Sequence, residues 1–564
     1  QNADHGLVCS NKDGSYQLYG WHIPTGELRQ LTFQPNDVTI GSISSDGQRV
    51  YYLHETQGEG VGHYFSVSFD GKIVDDLTPD LPAYSSFLFM ESHTGNHFGF
   101  MSLNQYGYRI FAVDKTSDGT PSLHIESENL LVGPVFSHKG EMTVIASAER
   151  SQGTDFHLEA YDTASGQKIA ELWDGAGTSI QPNLFSPLAG DTLILAASNQ
   201  TGNFRPLIWN PFLGIRVDIE VDDLQGDVFP WGWSPDARRV LLYQVHEAQY
   251  QLYTFDINVD QLTKLHHPAG TLSDGNFAPN GNIFTVWEDS TYPKRLIELD
   301  GQRGRKLRDV LVVSDDIDGR NWESVTFKSD DETQIQAWLA KPEGEPPYPT
   351  IIHLHGGPNA VTTNHYDPIS QTWLEKGFAY CSINYRGSTT FGSEFENAII
   401  GKPGDLEIMD VVAGVKWLIA EGITDEKAVF ITGRSYGGFL ALMAMSKHPT
   451  LFAGGMVDSP LVDWVAMYDA LPESLRDYQR KLFGENSVEL QRKSSPIEYV
   501  DQISEPLIIF QPENDPRSPI HLTEKYAEQM KQQSKTVEFH VYATVSSEQQ
   551  MGMTLNFVDK VLKS

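Results

Sequence analysis

The feature that most constrains this chain is a short turn that keeps coming back at nearly even spacing. It appears as Ser44-Ser45-Asp46-Gly47, Ser92 to Gly95, Ser137 to Gly140, Ser186 to Gly190, Ser234-Pro235-Asp236 and Ala278 to Gly281, with starts 44 to 49 residues apart. Between the turns run short alternating segments rich in Tyr, Phe, Val and Ile, broken by Asp-Gly, Asn-Gly and Ser-Gly pairs, which is the pattern of antiparallel strands. The second unit shows the order: the turn, an apolar strand Arg49 to Leu53, a strand Tyr64 to Val67, then a polar closure at Asp75-Asp76-Leu77-Thr78. A period in the forties with about four strands per unit describes propeller blades, small sheets that bury their faces only against their neighbours. Six turns and a partial unit from Gly6 to Thr32 predict a seven-bladed β-propeller over residues 1–310. An open sandwich has no need of so regular a period.

After a polar bridge, Ser314 to Arg320, the pattern changes. Apolar runs at Thr350 to Leu354, Ala379 to Ile383, Ala428 to Thr432, Gly454 to Val457 and Leu507 to Phe510 alternate with helical stretches at Ile369 to Lys376, Leu406 to Glu421 and Gly438 to Lys447. Near-continuous apolar strands separated by helices form a parallel sheet covered on both faces. Residues 311–564 are therefore expected to be an α/β domain. A length of 564 residues agrees with two large domains, since single cores stop growing near roughly 250–300 residues.

Composition narrows the partners. A net charge of −34 argues against nucleic acid, whose affinity comes from Lys and Arg on phosphates, and reads instead as solubility. The two cysteines, Cys9 and Cys381, are far apart, so no disulfide framework is implied and a cytoplasmic setting is expected. Cys381, inside an apolar run, reads as a small buried hydrophobe. No apolar run nears the ~18 residues of a membrane span, and the first residues lack a charged-then-apolar leader, so no membrane partner is expected. Nothing has metal-ligand spacing or the form of a nucleotide loop, so neither metal nor cofactor is expected.

The chemistry is carried by Gly433-Arg434-Ser435-Tyr436-Gly437, which fits G-x-S-x-G between a predicted strand and a predicted helix. Such a nucleophile elbow turns so sharply that side chains two positions either way must be absent, and it lifts the serine hydroxyl above the strand end at a helix N-terminus. Ser435 is the candidate nucleophile and the α/β domain is expected to have the α/β-hydrolase fold. His355-Gly356-Gly357-Pro358 follows the first parallel strand and has the form of a loop that presents a backbone N–H to an oxyanion; Gly357 and Tyr436 are assigned as the two donors. His355 is expected to shape this loop, because the base of this fold follows the nucleophile in chain order. Asp515, after the strand Leu507 to Phe510, is the choice for the acid that orients a histidine, with Glu513 as the alternative. Arg517 is a candidate for gripping a substrate carbonyl or carboxylate, against the plain alternative of a solvated loop arginine.

Together with Asn384-Tyr385-Arg386-Gly387-Ser388, Ser459 to Trp464, Ser495-Pro496-Ile497 and Asn514-Asp515-Pro516-Arg517, these motifs resemble the acylaminoacyl peptidases of the prolyl oligopeptidase family. The resemblance covers the whole α/β half by motif and the propeller half by architecture. It implies a serine peptidase that releases N-acylated residues from short peptides, with the propeller restricting entry. It also implies that Trp464, Leu475 and Tyr478 line an apolar pocket for the residue at the cleaved bond, where core packing is the competing role of each. A carboxypeptidase or oligopeptidase of the same family fits the same nucleophile. A homo-oligomer is left open.

One part of the pattern breaks. The family carries its histidine just after the strand matching Glu538 to Tyr542, whereas this chain continues Ala543-Thr544-Val545-Ser546-Ser547-Glu548 and has no histidine beyond His540. Three readings follow. A loop that bears the base in the whole protein is missing between Ala543 and Thr544; or the histidine is lost and the protein binds peptides without cleaving them; or His540 or His521 is recruited. The first is preferred, since active-site residues so often sit on loops. Recruitment is disfavoured, because His540 precedes the loop and His521 begins a predicted helix.

Overall fold

The computed structural model describes residues 4–12, 14–58, 60–104, 107–117, 119–151, 155–312, 317, 319–470, 473–484, 487–513, 515, 518–542 and 547–563, without the side chains at 56–58, 473–475, 477, 478 and 547. The chain folds as a β-propeller followed by an α/β-hydrolase domain.

The recurring turn has a physical explanation. In each of four blades the turn serine hydroxyl accepts the amide that opens the next strand: Arg49 N–H to Ser44 Oγ at 2.9 Å, His97 to Ser92 at 3.0 Å, Met142 to Ser137 at 2.9 Å and Arg239 to Ser234 at 2.8 Å. The residue three further on closes the turn onto the serine carbonyl, as Gly47, Gly95, Gly140 and Ala237 do. That residue takes positive φ, 70° at Gly47 and 53° at Ala237, which explains why glycine recurs there and why alanine in its place is the costly exception. Hydroxyl acceptance and left-handed closure are what Ser-x-x-Gly supplies.

The propeller sheets comprise one of three strands (His5–Ser10, Gln17–His22, Glu27–Gln30), one of nine, and four of four strands each. The nine-stranded sheet joins two blade repeats through the short strand Tyr84–Ser85, so seven repeats are present among the described residues. Each blade buries its face on the next. Val144, Ala146 and Leu158 of one sheet pack with Ile180, Ile194 and Trp209 of its neighbour, and Leu195 and Ile208 of that sheet pack in turn with Val228, Val240 and Phe255.

The hydrolase sheet has eight strands, labelled here β1 (Glu323–Lys328), β2 (Gln334–Ala340), β3 (Tyr348–Leu354), β4 (Ala379–Asn384), β5 (Thr424–Arg434), β6 (Gly454–Asp458), β7 (Leu507–Pro512) and β8 (Val537–Tyr542). Their order is β1-β2-β4-β3-β5-β6-β7-β8, antiparallel at β1 and β2 and parallel from β4 to β8. The helices are α1 (Pro368–Glu375), α2 (Ser393–Asn397), α3 (Leu406–Ala420), α4 (Tyr436–Lys447), α5 (Trp464–Ala470), α6 (Glu473–Phe483), α7 (Val488–Lys493), α8 (Ile520–Gln532) and α9 (Ser547–Leu562). Every residue of α4 from Tyr436 to Ser446 is buried, so this helix is the centre of the larger apolar cluster.

The two domains are pinned by a propeller hairpin. Glu247 and Ala248, both at positive φ, form its tip; their amides donate to Thr390 O and Thr390 Oγ1, each at 3.1 Å. Ala248 is buried in the hydrolase cluster with Trp322, Trp338 and Tyr380.

Candidate active site

β5 ends at Arg434 and α4 begins at Tyr436, leaving Ser435 alone to make the turn at φ 55°, ψ −117°. For a residue with a Cβ this is a strained conformation, and such strain collects at functional sites. It is held by Ser435 N–H donating to Asp458 O of β6 at 2.9 Å and by Ser435 O accepting the Phe439 amide at 3.0 Å. The flanking glycines are sterically obligatory. A Cβ on Gly433 would lie 2.4 Å from the Gly437 carbonyl carbon, and one on Gly437 would lie 2.1 Å from Leu354 O.

Ser435 faces a cavity of about 380 Å³ whose wall also carries Gly356, Gly357, Arg434, Ser459, Asp515 and Ser518. Thus Ser435, Gly357 and Asp515, from the ends of β5, β3 and β7, share one wall. Parallel strands deliver such residues to one sheet edge because all their C-terminal ends lie there. Glu513, the alternative acid, is exposed and does not line the cavity. Tyr436 follows Ser435 as the first residue of α4, at the positive end of the helix dipole.

The oxyanion-loop segment is braced from behind. The His355 ring stacks on Tyr385 with centroids 4.4 Å apart; its Nδ1 lies 2.7 Å from Gly356 O and its Nε2 2.8 Å from Ser388 Oγ. Burial pushes its pKa down to about 4, so it is neutral at pH 7 and has one ring N–H to donate. Ser388 Oγ donates in turn to Tyr385 O, and the Arg386 between them is gripped by Asp410 through Nε and Nη2. The Asn384 to Ser388 motif is therefore a buried brace for this segment.

No residue lining the cavity among those described is a histidine. His540 stacks on Phe510, centroids 5.5 Å apart, with its Nε2 3.6 Å from Glu538 on the same strand, and His521 is exposed in the first turn of α8. Residues 543 to 546, where the histidine loop is expected, lie outside the described residues, as does Arg517; Leu475 and Tyr478 fall in α6, but their side chains are also outside the description. Trp464 is 1% exposed, edge-on to Phe439 and Phe483, and does not line the cavity.

Sequence reasoning passed over two groups. Asp458, at the end of β6, accepts Tyr542 Oη at 3.1 Å, Gln550 Nε2 at 3.3 Å and Ser459 Oγ at 2.9 Å, tying β8 and α9 to the strand beside the elbow. Glu407 is fully buried in the first turn of α3. The only signal for either is an acid beside an apolar run, which usually marks a solvated strand or helix end.

No helix among the described residues is long and apolar enough to cross a membrane. Residues 364–546 match the prolyl oligopeptidase family. Dipeptidyl aminopeptidase BIII of Pseudoxanthomonas mexicana is 27% identical over 373 residues, 64% of this chain and 48% of that protein. The acylamino-acid-releasing enzyme of Mus musculus is 24% identical over 346 residues, 55% of this chain and 46% of that protein. The aligned stretch thus spans about half the length of these relatives. Among solved structures, a puromycin-hydrolysing peptidase of Mycobacterium tuberculosis superposes with a TM-score of 0.85 at 16% identity, covering 100% of this chain and 94% of that one. An acylaminoacyl peptidase of Pyrococcus horikoshii gives 0.75 at 15% identity, covering 98% and 92%. At such identities the likeness speaks to the fold alone. Through residues 364–546 the chain is thus similar to the prolyl oligopeptidase family.

Proposed function

We propose that this protein is a serine peptidase of the acylaminoacyl-peptidase type, releasing N-acylated residues from short peptides through an acyl-enzyme on Ser435. The observation that carries the reading is the strained Ser435 turn opening into a cavity shared with Gly357 and Asp515. In this mechanism the Ser435 hydroxyl attacks the scissile carbonyl as its proton passes to a histidine oriented by Asp515, and the carbonyl oxygen becomes the oxyanion. The N–H groups of Gly357 and Tyr436 receive that charge, aided by the N-terminal dipole of α4. Collapse expels the amine, and water then releases the acylated residue. Arg517, Trp464, Leu475 and Tyr478 are carried as substrate contacts on the resemblance alone. The soluble, cytoplasmic setting stays part of the proposal, as do short peptides as substrates, with no nucleic-acid or membrane partner and a homo-oligomer left open.

The second reading is a histidine-lacking, peptide-binding protein, favoured by the absence of a histidine from the described cavity wall. Hydrolysis of acetylated against free-amino peptides of equal length, with Ser435→Ala as control, tests the first reading. Preferential, Ser435-dependent release of the acetylated residue supports it. Cleavage that ignores acetylation but requires a free C-terminal carboxylate would make the protein a carboxypeptidase instead.

A further inference from the structure

Glu407 is a fully buried carboxyl that the mechanism above does not use. The hydrogen bonds it accepts come from neutral donors, among them Tyr436 Oη to Oε1 at 2.6 Å and Gly404 N–H to Oε2 at 3.0 Å. Burial is the main cause that lifts its carboxyl to about 7, while these bonds and one from its own backbone N–H pull the other way. A glutamate is an expensive way to fill an apolar core, because an isosteric apolar side chain would avoid the desolvation. Its placement is therefore better explained by what it holds.

What it holds is the residue next to the nucleophile. Tyr436 is the first residue of α4, and its ring lies against Phe439 at 5.0 Å and Trp464 at 6.1 Å, both edge-on. Those apolar contacts pack the sides of the ring, and the hydroxyl bond to Glu407 fixes its far end. The clamp is itself anchored. Gly404, at φ 82°, passes so close to Phe439 that a Cβ there would lie 2.8 Å from the ring. At the other end of α4, Lys447 Nζ donates to Gly404 O and Asp405 Oδ1, both at 3.2 Å. The turn before α3 is thus tied to both ends of the helix that the elbow opens.

We propose that Glu407 is a positioning residue of the oxyanion hole, holding the Tyr436 ring, and through it the Tyr436 N–H, at the angle a tetrahedral oxyanion requires. The proposal rests on the reading of Ser435 and Tyr436 given above. Removing one oxyanion donor costs about 10²–10³ in rate. Misaligning it, which weakens the bond without abolishing it, should cost about tenfold.

The test has two arms on the full-length protein. In the first, Ser435 is inactivated with a fluorophosphonate, separating the maximal inactivation rate from the probe concentration at half-maximum. E407A and Y436F should each slow the maximal rate about tenfold with the half-saturating concentration unchanged. The double variant should lose no more than either alone, and E407Q, whose amide oxygen still accepts the tyrosine hydroxyl, should recover most of the rate. In the second arm, hydrogen exchange of the Tyr436 amide should quicken at least tenfold in E407A and stay near wild type in E407Q, whether or not Ser435 reacts. A wild type that is never labelled would sink the hydrolase reading, and the exchange arm would then decide positioning alone. An unchanged Tyr436 amide in folded E407A, or a loss confined to the half-saturating concentration, overturns the proposal. Should E407A fail to fold, Y436F and E407Q carry the same comparison.

Discussion

Substituting Gly437 with alanine should damage this protein far more than the same change one residue on. A Cβ at Gly437 would sit 2.1 Å from Leu354 O and 2.7 Å from His355 O, both main-chain oxygens at the end of β3. Carbon and oxygen settle at about 3.3–3.6 Å, so helix and strand must part by about 1 Å. Overpacking costs about 1–3 kcal/mol when side chains can yield. Here the obstacles are backbone, so the upper end applies, and even after the ~1 kcal/mol that alanine gains over glycine inside a helix the net loss should be about 2 kcal/mol or more. At Gly438 the nearest atoms are Cα and Cβ of Pro460 at 3.1 Å, a contact relieved by a few tenths of an ångström. There strain and helix propensity should cancel to within about 1 kcal/mol. The displacement also moves the elbow against the Gly356-Gly357 loop, and a 1 Å misplacement is worth about 10² in rate. Urea titration read by proteolysis of the hydrolase half, with fluorophosphonate labelling of Ser435, measures both effects. A Gly437→Ala protein as stable and as reactive as Gly438→Ala would refute the steric account of the elbow.

Three further outcomes follow from buried groups and one from the architecture. Asp410 accepts Arg386 Nε, Nη2 and N–H together with Ser329 Oγ, so Asp410→Ala leaves a buried guanidinium with the half-exposed Asp331 as its remaining acid and should cost about 3 kcal/mol in the same titration, with Asp410→Asn losing less. His353 and His355 are held near pKa 4 by burial against an ordinary 6.5, so the unfolded state binds the extra protons between those values. Stability should therefore be full above pH 6.5 and fall by about 3 kcal/mol per histidine on acidification toward pH 4, and His355→Asn should remove its share of that slope. Ala248→Asp puts a carboxylate among Trp322, Trp338 and Tyr380, and should loosen the propeller from the hydrolase, seen as faster proteolysis between them with each half still folded. If the propeller gates entry, peptides up to a few tens of residues should be cut and stably folded proteins spared, because unfolding them costs several of a typical 5–15 kcal/mol. Efficient digestion of folded substrates would remove the gate.

The parts legible in the sequence are those where one residue type alone meets a steric or hydrogen-bonding demand. The turn serines and glycines were readable because a hydroxyl must accept the next strand's first amide and the closing residue must take positive φ. Gly433 and Gly437 were readable because nothing larger fits. Boundaries were less so. Helix α4 starts at Tyr436, two residues before the expected Gly438, since the elbow enters helix at once despite the low propensity of its glycines. Strand β5 begins at Thr424 rather than Ala428, because Thr424 already pairs with Tyr348 of β3 while Asp425, Glu426 and Lys427, which look like a turn, form an irregular stretch before pairing resumes at Val429. Glu407 and Asp458 were illegible, as an acid in a helix's first turn or at a strand end normally faces water. Only the packing of α3 on α4, and the reach of Tyr542 from β8 and Gln550 from α9 to Asp458, give them partners. Ala248 was hidden likewise: its hairpin tip uses Glu and Ala at positive φ where asparagine or glycine would have announced a turn.

The central claim is that Ser435 is a reactive nucleophile, and the most direct measurement is mass-spectrometric mapping of fluorophosphonate adducts on protein expressed from its own gene. The account predicts one stable adduct, on the peptide containing Ser435, lost in Ser435→Ala and strongly slowed in Asp515→Ala. The same intact-mass spectrum shows whether a histidine-bearing loop lies between Ala543 and Thr544. A folded wild-type protein that takes no adduct at Ser435 would contradict the account and leave a peptide-binding propeller protein with an unused elbow.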